Sequence, residues 1–269
     1  MKNKIIGFIG GGNMATAIMG GLLASGLGTK DTIIAADASE EALKRLTDRF
    51  GIYTCTDNTE IAKKADILFL AVKPNIYPVM IPGIKDCVRE DTVIVSIAAG
   101  QPIKRVEALF EHPIRLVRVM PNTPALVGES MSALCKNALV SDEELAEVQT
   151  LFNSFGKSEI VSEKMIDAVV GISGSSPAYV FMFIEAMADA AVADGMPRVQ
   201  AYKFAAQAVL GSAKMVLETG KHPGELKDMV CSPGGTTIEA VAVLESMGFR
   251  SAVIEAQRAC VQKSKDMSK

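Results

Sequence analysis

The chain is poor in the residues that metal and nucleophile chemistry draw on. It has two histidines, His112 and His222, each directly before a proline. That is too few imidazoles for an ordinary zinc site, and no metal is expected. Its five cysteines, Cys55, Cys87, Cys135, Cys231 and Cys260, are odd in number, far apart and form no C-x-x-C pair. They read as reduced thiols of a cytoplasmic protein. There is no G-x-S-x-G, no H-E-x-x-H and no kinase signature, so those routes of catalysis have no visible machinery. A strong charge of one sign is also missing. The formal net charge is −3 and the Lys and Arg residues are scattered, which argues against a nucleic-acid partner. The start, Met1 to Lys4, runs straight into a strand and a glycine turn, unlike a signal peptide. The most apolar stretch, Ala168 to Ala193, contains Ser173, Ser175, Ser176, Pro177, Glu185 and Asp189. It is expected to be a buried helix with a polar beginning, not a membrane span. No internal repeat or low-complexity linker is visible.

What is present is a folding chain: 49% of its 269 residues are hydrophobic and 22% charged, enough for one large or two modest domains. The first half alternates short β-branched runs with amphipathic segments. Ile5 to Ile9, Thr32 to Ala36, Asp66 to Val72, Thr92 to Ala98, Ile114 to Val119 and Ser132 to Cys135 read as strands. Runs apolar on both faces suit strands covered by helices on both sides, and the alternation predicts a mostly parallel α/β sheet. Ser39 is a candidate helix cap before a helix ending at Gly51. Ser141 to Glu144 fits a capping box for a helix that should stop near Gly156. From about Met165 the pattern is helical. Ser176-Pro177 reads as a helix start and Gly195 with Pro197 as a stop. Several of these helices are apolar around much of their circumference, which points to a helical homodimer interface. The terminal Gln262 to Lys269 segment is expected to be a solvated helix end.

Gly10-Gly11-Gly12-Asn13-Met14-Ala15 follows the first strand and opens a helix, fitting G-x-G-x-x-A. Gly10 allows a tight turn, Gly12 lets backbone approach a pyrophosphate, and Ala15 keeps helix and strand close. Asp37 ends the second strand, where an acid bonds an adenosine ribose 2′-OH and repels a 2′-phosphate. The first arginine after it is Arg45. The chemistry leans toward NADH and leaves NADPH open; capping of the next helix is the other reading of Asp37. Ala71-Val72-Lys73-Pro74 and Ala98-Ala99-Gly100 leave the carboxyl ends of strands, where small residues make room for ribose and nicotinamide. Lys73 is equally a surface lysine, and Asn58 is either an adenine-side contact or an Asx turn.

Cys231-Ser232-Pro233-Gly234-Gly235-Thr236-Thr237 precedes a later helix. Two glycines and two hydroxyls there form a nest for a small anion such as a carboxylate, or else a plain turn capped by Thr236. No positioned base for alcohol oxidation is apparent. Reduction of a C=N bond is less demanding, because the iminium form accepts hydride directly.

Gly171-Ile-Ser-Gly174-Ser-Ser-Pro177-Ala-Tyr179, Asp194-Gly195-Met-Pro197-Arg198, His222-Pro-Gly224-Glu-Leu-Lys227-Asp228 and Ser232-Pro-Gly-Gly235-Thr-Thr237-Ile resemble consecutive signatures of the pyrroline-5-carboxylate reductases. Ala71-Val-Lys-Pro74 and Arg118-Val-Met-Pro121-Asn122-Thr123-Pro124 match as well, so the resemblance spans the chain. It implies an NAD(P)H-binding Rossmann domain over residues 1–162. It further implies an all-helical dimerisation and substrate domain over 163–269, interlocked with a second subunit and leaving room for a larger ring. The implied reaction is reduction of 1-pyrroline-5-carboxylate to L-proline. Backbone N–H groups of Gly234, Gly235 and Thr236 would hold the substrate carboxylate, the Thr237 hydroxyl would meet the ring nitrogen, and Glu163 matches an acidic position near the substrate. Ile9, Gly10, Gly11, Gly12, Asn13, Met14, Asn58, Ala71, Val72, Lys73, Pro74, Ala98, Ala99 and Gly100 would line the cofactor. Three residues depart from the family pattern: Ser176 stands where Gly is common, Met229 where some members carry Asn, and Asp37 where members carry Ser or Arg. Two other readings compete. A β-hydroxyacid dehydrogenase would place a lysine after its G-x-x-G segment, and here none follows until Lys203. A dinucleotide-sensing regulator would not need the small-anion turn.

Overall fold

The apolar runs of the first half form strands because both of their faces are covered. In β1 (Ile6–Ile9), β4 (Ile67–Leu70) and β5 (Val93–Ser96) every residue is buried. Alternate residues serve different cores. Phe8, Phe69 and Val95 join Ile18, Leu22 and Phe152 on one face of the sheet. Ile9, Leu68, Leu70 and Ile94 join Ile81, Val106 and Phe110 on the other. The remaining strands are β2 (Ile33–Ala36), β3 (Tyr53–Cys55), β6 (Arg115–Met120), β7 (Ser130–Lys136) and β8 (Gly156–Ile160). The sheet order is β3-β2-β1-β4-β5-β6-β7-β8. All neighbours are parallel except β6 and β7. The order reverses between β1 and β4, the point where open α/β sheets bind ligands beyond their carboxyl edges.

The computed structural model describes residues 4–268. Met1 to Asn3 and the final Lys269 lie outside the described residues. Among these residues the chain divides into two compact units: residues 4–175 with 260–268, and residues 176–259. Helices α1 (Asn13–Ala24), α2 (Glu40–Phe50), α3 (Asn58–Lys64), α4 (Tyr77–Ile84), α5 (Ile103–Phe110), α6 (Asp142–Asn153) and the short α7 (Ile166–Val169) belong to the first unit. Ser39 caps α2 by accepting from Ala42 N, and Gly51 closes it in the left-handed conformation. Ser141 and Glu144 form the reciprocal capping box of α6. That helix stops at Asn153, earlier than expected, because Gly156 opens the edge strand β8.

The second unit contains α8 (Ser176–Ala193), α9 (Arg198–Thr219), α10 (Pro223–Val230), α11 (Thr236–Ser246) and the first part of α12 (Phe249–Met267). Three expectations are corrected here. Ser176-Pro177 is not a free-standing helix start: the backbone is already helical from Ile166, through a π-turn at Val170–Gly174 in which Ser175 N donates to Val170 O. The wider turn absorbs the bond Pro177 cannot make. Nor is the apolar stretch buried within the chain. Residues 163–193 form one helical run, by length and composition able to cross a membrane, yet 17% of its most apolar part is buried. In α8 the one buried residue is Ala188. The C-terminal segment is not simply solvated either. Ser264 is buried and its hydroxyl donates to Asp167 Oδ1 at 2.6 Å, while Arg105 Nη1 donates to Met267 O.

Tyr77 illustrates how polar groups are satisfied under the sheet. Its ring is fully buried and its hydroxyl donates to Leu70 O at 2.8 Å, with Ser96 Oγ 3.1 Å away. Burial raises the phenol above its ordinary range. Tyr77→Phe should leave the Leu70 carbonyl short of a partner and destabilise the protein by about 1–2 kcal/mol, read as a lower urea midpoint at unchanged slope.

Candidate functional site

The glycine turn between β1 and α1 is shaped by steric need. Gly10 has φ +106°, and a Cβ there would lie 2.7 Å from Ala71 O. Gly11 N donates to Asp37 Oδ2 at 2.6 Å, and Ser39 N donates to Asp37 Oδ1 at 2.8 Å. Asp37 therefore ties the turn to the end of β2 and braces the start of α2. Gly12 is the N-cap of α1, exposed, with no capping side chain and no acid in the first turn. Nothing stands within 4 Å of the place its Cβ would take. The first N–H groups of α1 are thus left for an anion that can approach the bare backbone.

A cleft of about 680 Å³ opens beside this turn. It gathers Gly10, Gly12, Asp37, Asn58, Ala71, Val72 and Lys73 from the expected set. Asp57, not Asn58, caps α3 by accepting from Thr59 N, and the Asn58 side chain on the cleft wall makes no hydrogen bond among the described residues. Lys73 is exposed and makes no ion pair among the described residues. The space, the bare helix start and the acid at the end of β2 fit an adenine dinucleotide.

Other expected residues stand apart from the cleft lining. Ile9 is 1% exposed in the core, and Gly11 is buried behind the turn. Asn13 borders a separate hollow with Thr16, Arg45 and Arg49. Met14 packs against the core beneath the turn. Pro74 O accepts from Gln101 Nε2 at 3.3 Å, linking the loop after β4 to the loop after β5 that carries Ala98, Ala99 and Gly100. Gly100 has φ +69° and sits against Met267. Sequence reasoning missed the far wall, formed by Ile76, Val79, Met80, Gly83 and Ile84. Their apolar pattern is that of any core helix.

Glu163 is held within the first unit. Its Oε1 accepts from Arg118 Nη1 at 2.8 Å and from Ile103 N, at the uncapped start of α5, at 2.7 Å. Cys135, opposite Arg118 across β6 and β7, is a neighbour. Burial, then the Glu163 charge, pushes its thiol up to about 11, so it is protonated and unreactive at neutral pH.

In the second unit the turn before α11 repeats the design of the first. Gly234 has φ +64°, Gly235 is the N-cap, and no side chain caps the helix. Gly235 N donates to Ser232 O at 3.1 Å, and a Cβ on Gly235 would collide with Ser232 Oγ. The expected cap, Thr236, does not serve. Neither the Thr236 nor the Thr237 hydroxyl has a hydrogen-bond partner among the described residues. Such a start can hold a small carboxylate and offer a hydroxyl beside it.

Comparison with known proteins decides the family. Residues 163–267 match the family described as pyrroline-5-carboxylate reductase dimerisation, and residues 5–100 match NADP oxidoreductase, coenzyme F420-dependent. A pyrroline-5-carboxylate reductase of Escherichia coli is 56% identical over 266 residues, covering 99% of each chain. The chain belongs to the pyrroline-5-carboxylate reductase family. A Methanosarcina acetivorans member is 44% identical over 100% of both chains. A solved pyrroline carboxylate reductase of Plasmodium falciparum with NADP bound superposes with a TM-score of 0.92 at 33% identity, covering both chains fully. Like the family, this protein is an NAD(P)-dependent oxidoreductase.

Gly10→Ala tests the turn. The positive φ and the Ala71 carbonyl leave no room for a methyl group. About 2 kcal/mol or more of stability should be lost, and calorimetric titration should show dinucleotide affinity falling at least tenfold in whatever protein remains folded.

Proposed function

We propose that the protein reduces the C=N bond of 1-pyrroline-5-carboxylate to L-proline, using NADH in preference to NADPH. The observation that carries this reading is the pair of glycine-rich helix starts, α1 and α11, both without a capping side chain, in a chain 56% identical over its full length to a reductase of that name. The α1 start with Gly10 and Gly12 holds the diphosphate, with Asn58 and the Ala71 to Pro74 and Ala98 to Gly100 loops along the rest of the dinucleotide. Bound there, the nicotinamide supplies hydride. At α11 the N–H groups of Gly234, Gly235 and Thr236 take the substrate carboxylate. The Thr237 hydroxyl bonds the ring nitrogen and fixes the imine carbon for attack. That nitrogen enters protonated, so hydride addition gives the neutral amine with no base required. Glu163 contributes an acceptor on the substrate side. Asp37 supports NADH, because its carboxylate lines the cleft where a 2′-phosphate would add two like charges.

The working unit we infer is a homodimer built through the C-terminal helices, residues 163–269, with residues 1–162 as the cofactor domain. Phe181, Met182, Phe204 and Leu217 are between 64% and 84% exposed, an apolar surface that monomers in water rarely keep. The dimer is also the block from which a larger ring would be assembled. Among the described residues all five cysteines are free thiols, which supports a reducing cytoplasmic setting.

Purified protein should oxidise NADH when given pyrroline-5-carboxylate and reduce NAD⁺ with L-proline at high pH. Inactivity in both directions, with a hydroxy acid turned over instead, would reject the reading. Thr237→Ala should lower kcat by about 10- to 100-fold, the worth of one hydrogen bond to a charged group, with NADH affinity unchanged. Asp37→Ser should move the ratio of kcat/KM for NADPH over NADH upward by about tenfold or more.

A further inference from the structure

We propose that an apolar face formed by Ile76, at the entry to α4, and by Val79 and Gly83 within it is the platform on which the adenine ring of the dinucleotide lies. The platform belongs to the cleft beside the β1–α1 turn, and it rests on the reading of that cleft as the dinucleotide site. All of its residues lie in the first unit.

A surface helix normally carries polar residues on its outer side. Helix α2 does so, with Lys44, Arg45 and Asp48 exposed. Helix α4 does not. Its sequence is Tyr-Pro-Val-Met-Ile-Pro-Gly-Ile, without a charged or amide side chain. Tyr77, Met80, Ile81 and Ile84 turn to the core and are buried. Pro78, Val79, Pro82 and Gly83 are left on the outside. Ile76, Val79, Met80, Gly83 and Ile84 follow the three- and four-residue steps of one helical stripe, and that stripe lines the cleft. Val79 is 78% exposed and Ile76 39%, so apolar surface there is open to the cleft. Gly83 adds a second mark. A glycine inside a helix weakens it relative to alanine, and here no left-handed φ requires one. No described atom stands within 4 Å of the place its Cβ would take. The missing side chain leaves room for a flat ring to approach the helix. The occupant follows from the rest of the lining. The bare start of α1 at Gly12 takes the diphosphate, and Asp37 stands where the adenosine ribose is bonded. The group attached to that ribose is adenine. Its two faces are apolar and its polar atoms lie in the ring plane, so it needs an apolar wall with a few polar groups at the edge. Ile76, Val79 and Gly83 provide the wall. Thr56 and Asn58, which line the same cleft, provide a hydroxyl and an amide for the edge.

The test uses the intact protein and compares wild type with Val79→Asn, Val79→Leu and Gly83→Leu. Both positions are exposed, so melting temperatures should stay close to wild type. Affinities are measured for NADH by fluorescence, and for ADP-ribose and reduced nicotinamide mononucleotide by calorimetric titration. Val79→Asn should weaken NADH and ADP-ribose alike by about five- to tenfold, the worth of one covered aliphatic side chain. Val79→Leu keeps the apolar surface and should bind both within about twofold of wild type. Gly83→Leu fills the open space and should weaken both by about tenfold or more. The mononucleotide carries the nicotinamide but no adenine, and it should bind all four proteins equally. If it weakens as much as NADH does, or if NADH affinity is unchanged in Val79→Asn or in Gly83→Leu, the platform is wrong while the dinucleotide cleft stands. Unchanged NADH affinity with an altered assembly state by light scattering would give the face to a second copy of the chain, and the platform would again be wrong. If wild type binds neither NADH nor ADP-ribose, the reading of the cleft itself falls, and the platform with it.

Discussion

Backbone N–H groups left unpaired at the start of a helix are the resource on which the proposed chemistry of this protein depends. Three helices of the first unit satisfy theirs with a side-chain oxygen: Ser39 caps α2, Asp57 caps α3 and Ser141 caps α6. At α1 and α11 the cap is a glycine and no side chain helps. A glycine cap gives up only about a few tenths of a kcal/mol relative to Ser or Asp, and it leaves the N–H groups of the first turn open to a ligand. The glycines have a second role, since any side chain at the cap would occupy the space through which an anion reaches the backbone.

The rest of the first unit can be understood as support for that exposed turn. Gly10 must adopt a positive φ against Ala71 O, so the end of β4 sets how closely the turn may approach. Asp37 pulls the turn toward β2 through Gly11 N and steadies α2 through Ser39 N with its other oxygen. One acid thus has both a structural part and a face on the cleft. Asp37 thus braces the turn and the approach to α2, and in the proposed reading the same carboxylate meets the adenosine ribose.

Much of this was legible in the sequence, and the parts that were not share a cause. Strands β1, β4 and β5 stand out because they are apolar on both faces, and the glycine turn because its spacing has a steric purpose. The edge strands β3 and β8 were missed: Tyr53–Cys55 is three residues long and β8 alternates around polar residues, as edge strands do to avoid pairing with other chains. The π-turn before Pro177 was hidden because a Ser-Pro pair carries the same letters whether it starts a helix or interrupts one. The far wall of the cleft looks like helix core, and Arg118 with Glu163 form a pair across 45 residues that no local pattern announces. Arg118 did leave a trace, a lone cation between valines in a strand. Such a residue is worth asking about, because burial of its charge demands a partner.

The apolar helices invert the usual relation between sequence and burial. The apolar stretch Ala168 to Ala193 was expected to be buried, and the chain by itself does not enclose it. Length and composition cannot tell a core helix from a subunit interface, since both must be removed from water, and the sequence records only that removal. Burial at about 25 cal/mol per Å² makes side chains such as Phe181, Phe204 and Leu217 a strong drive to association. In the proposed dimer the hydrophobic free energy that a lone chain cannot collect within its C-terminal helices is collected between subunits.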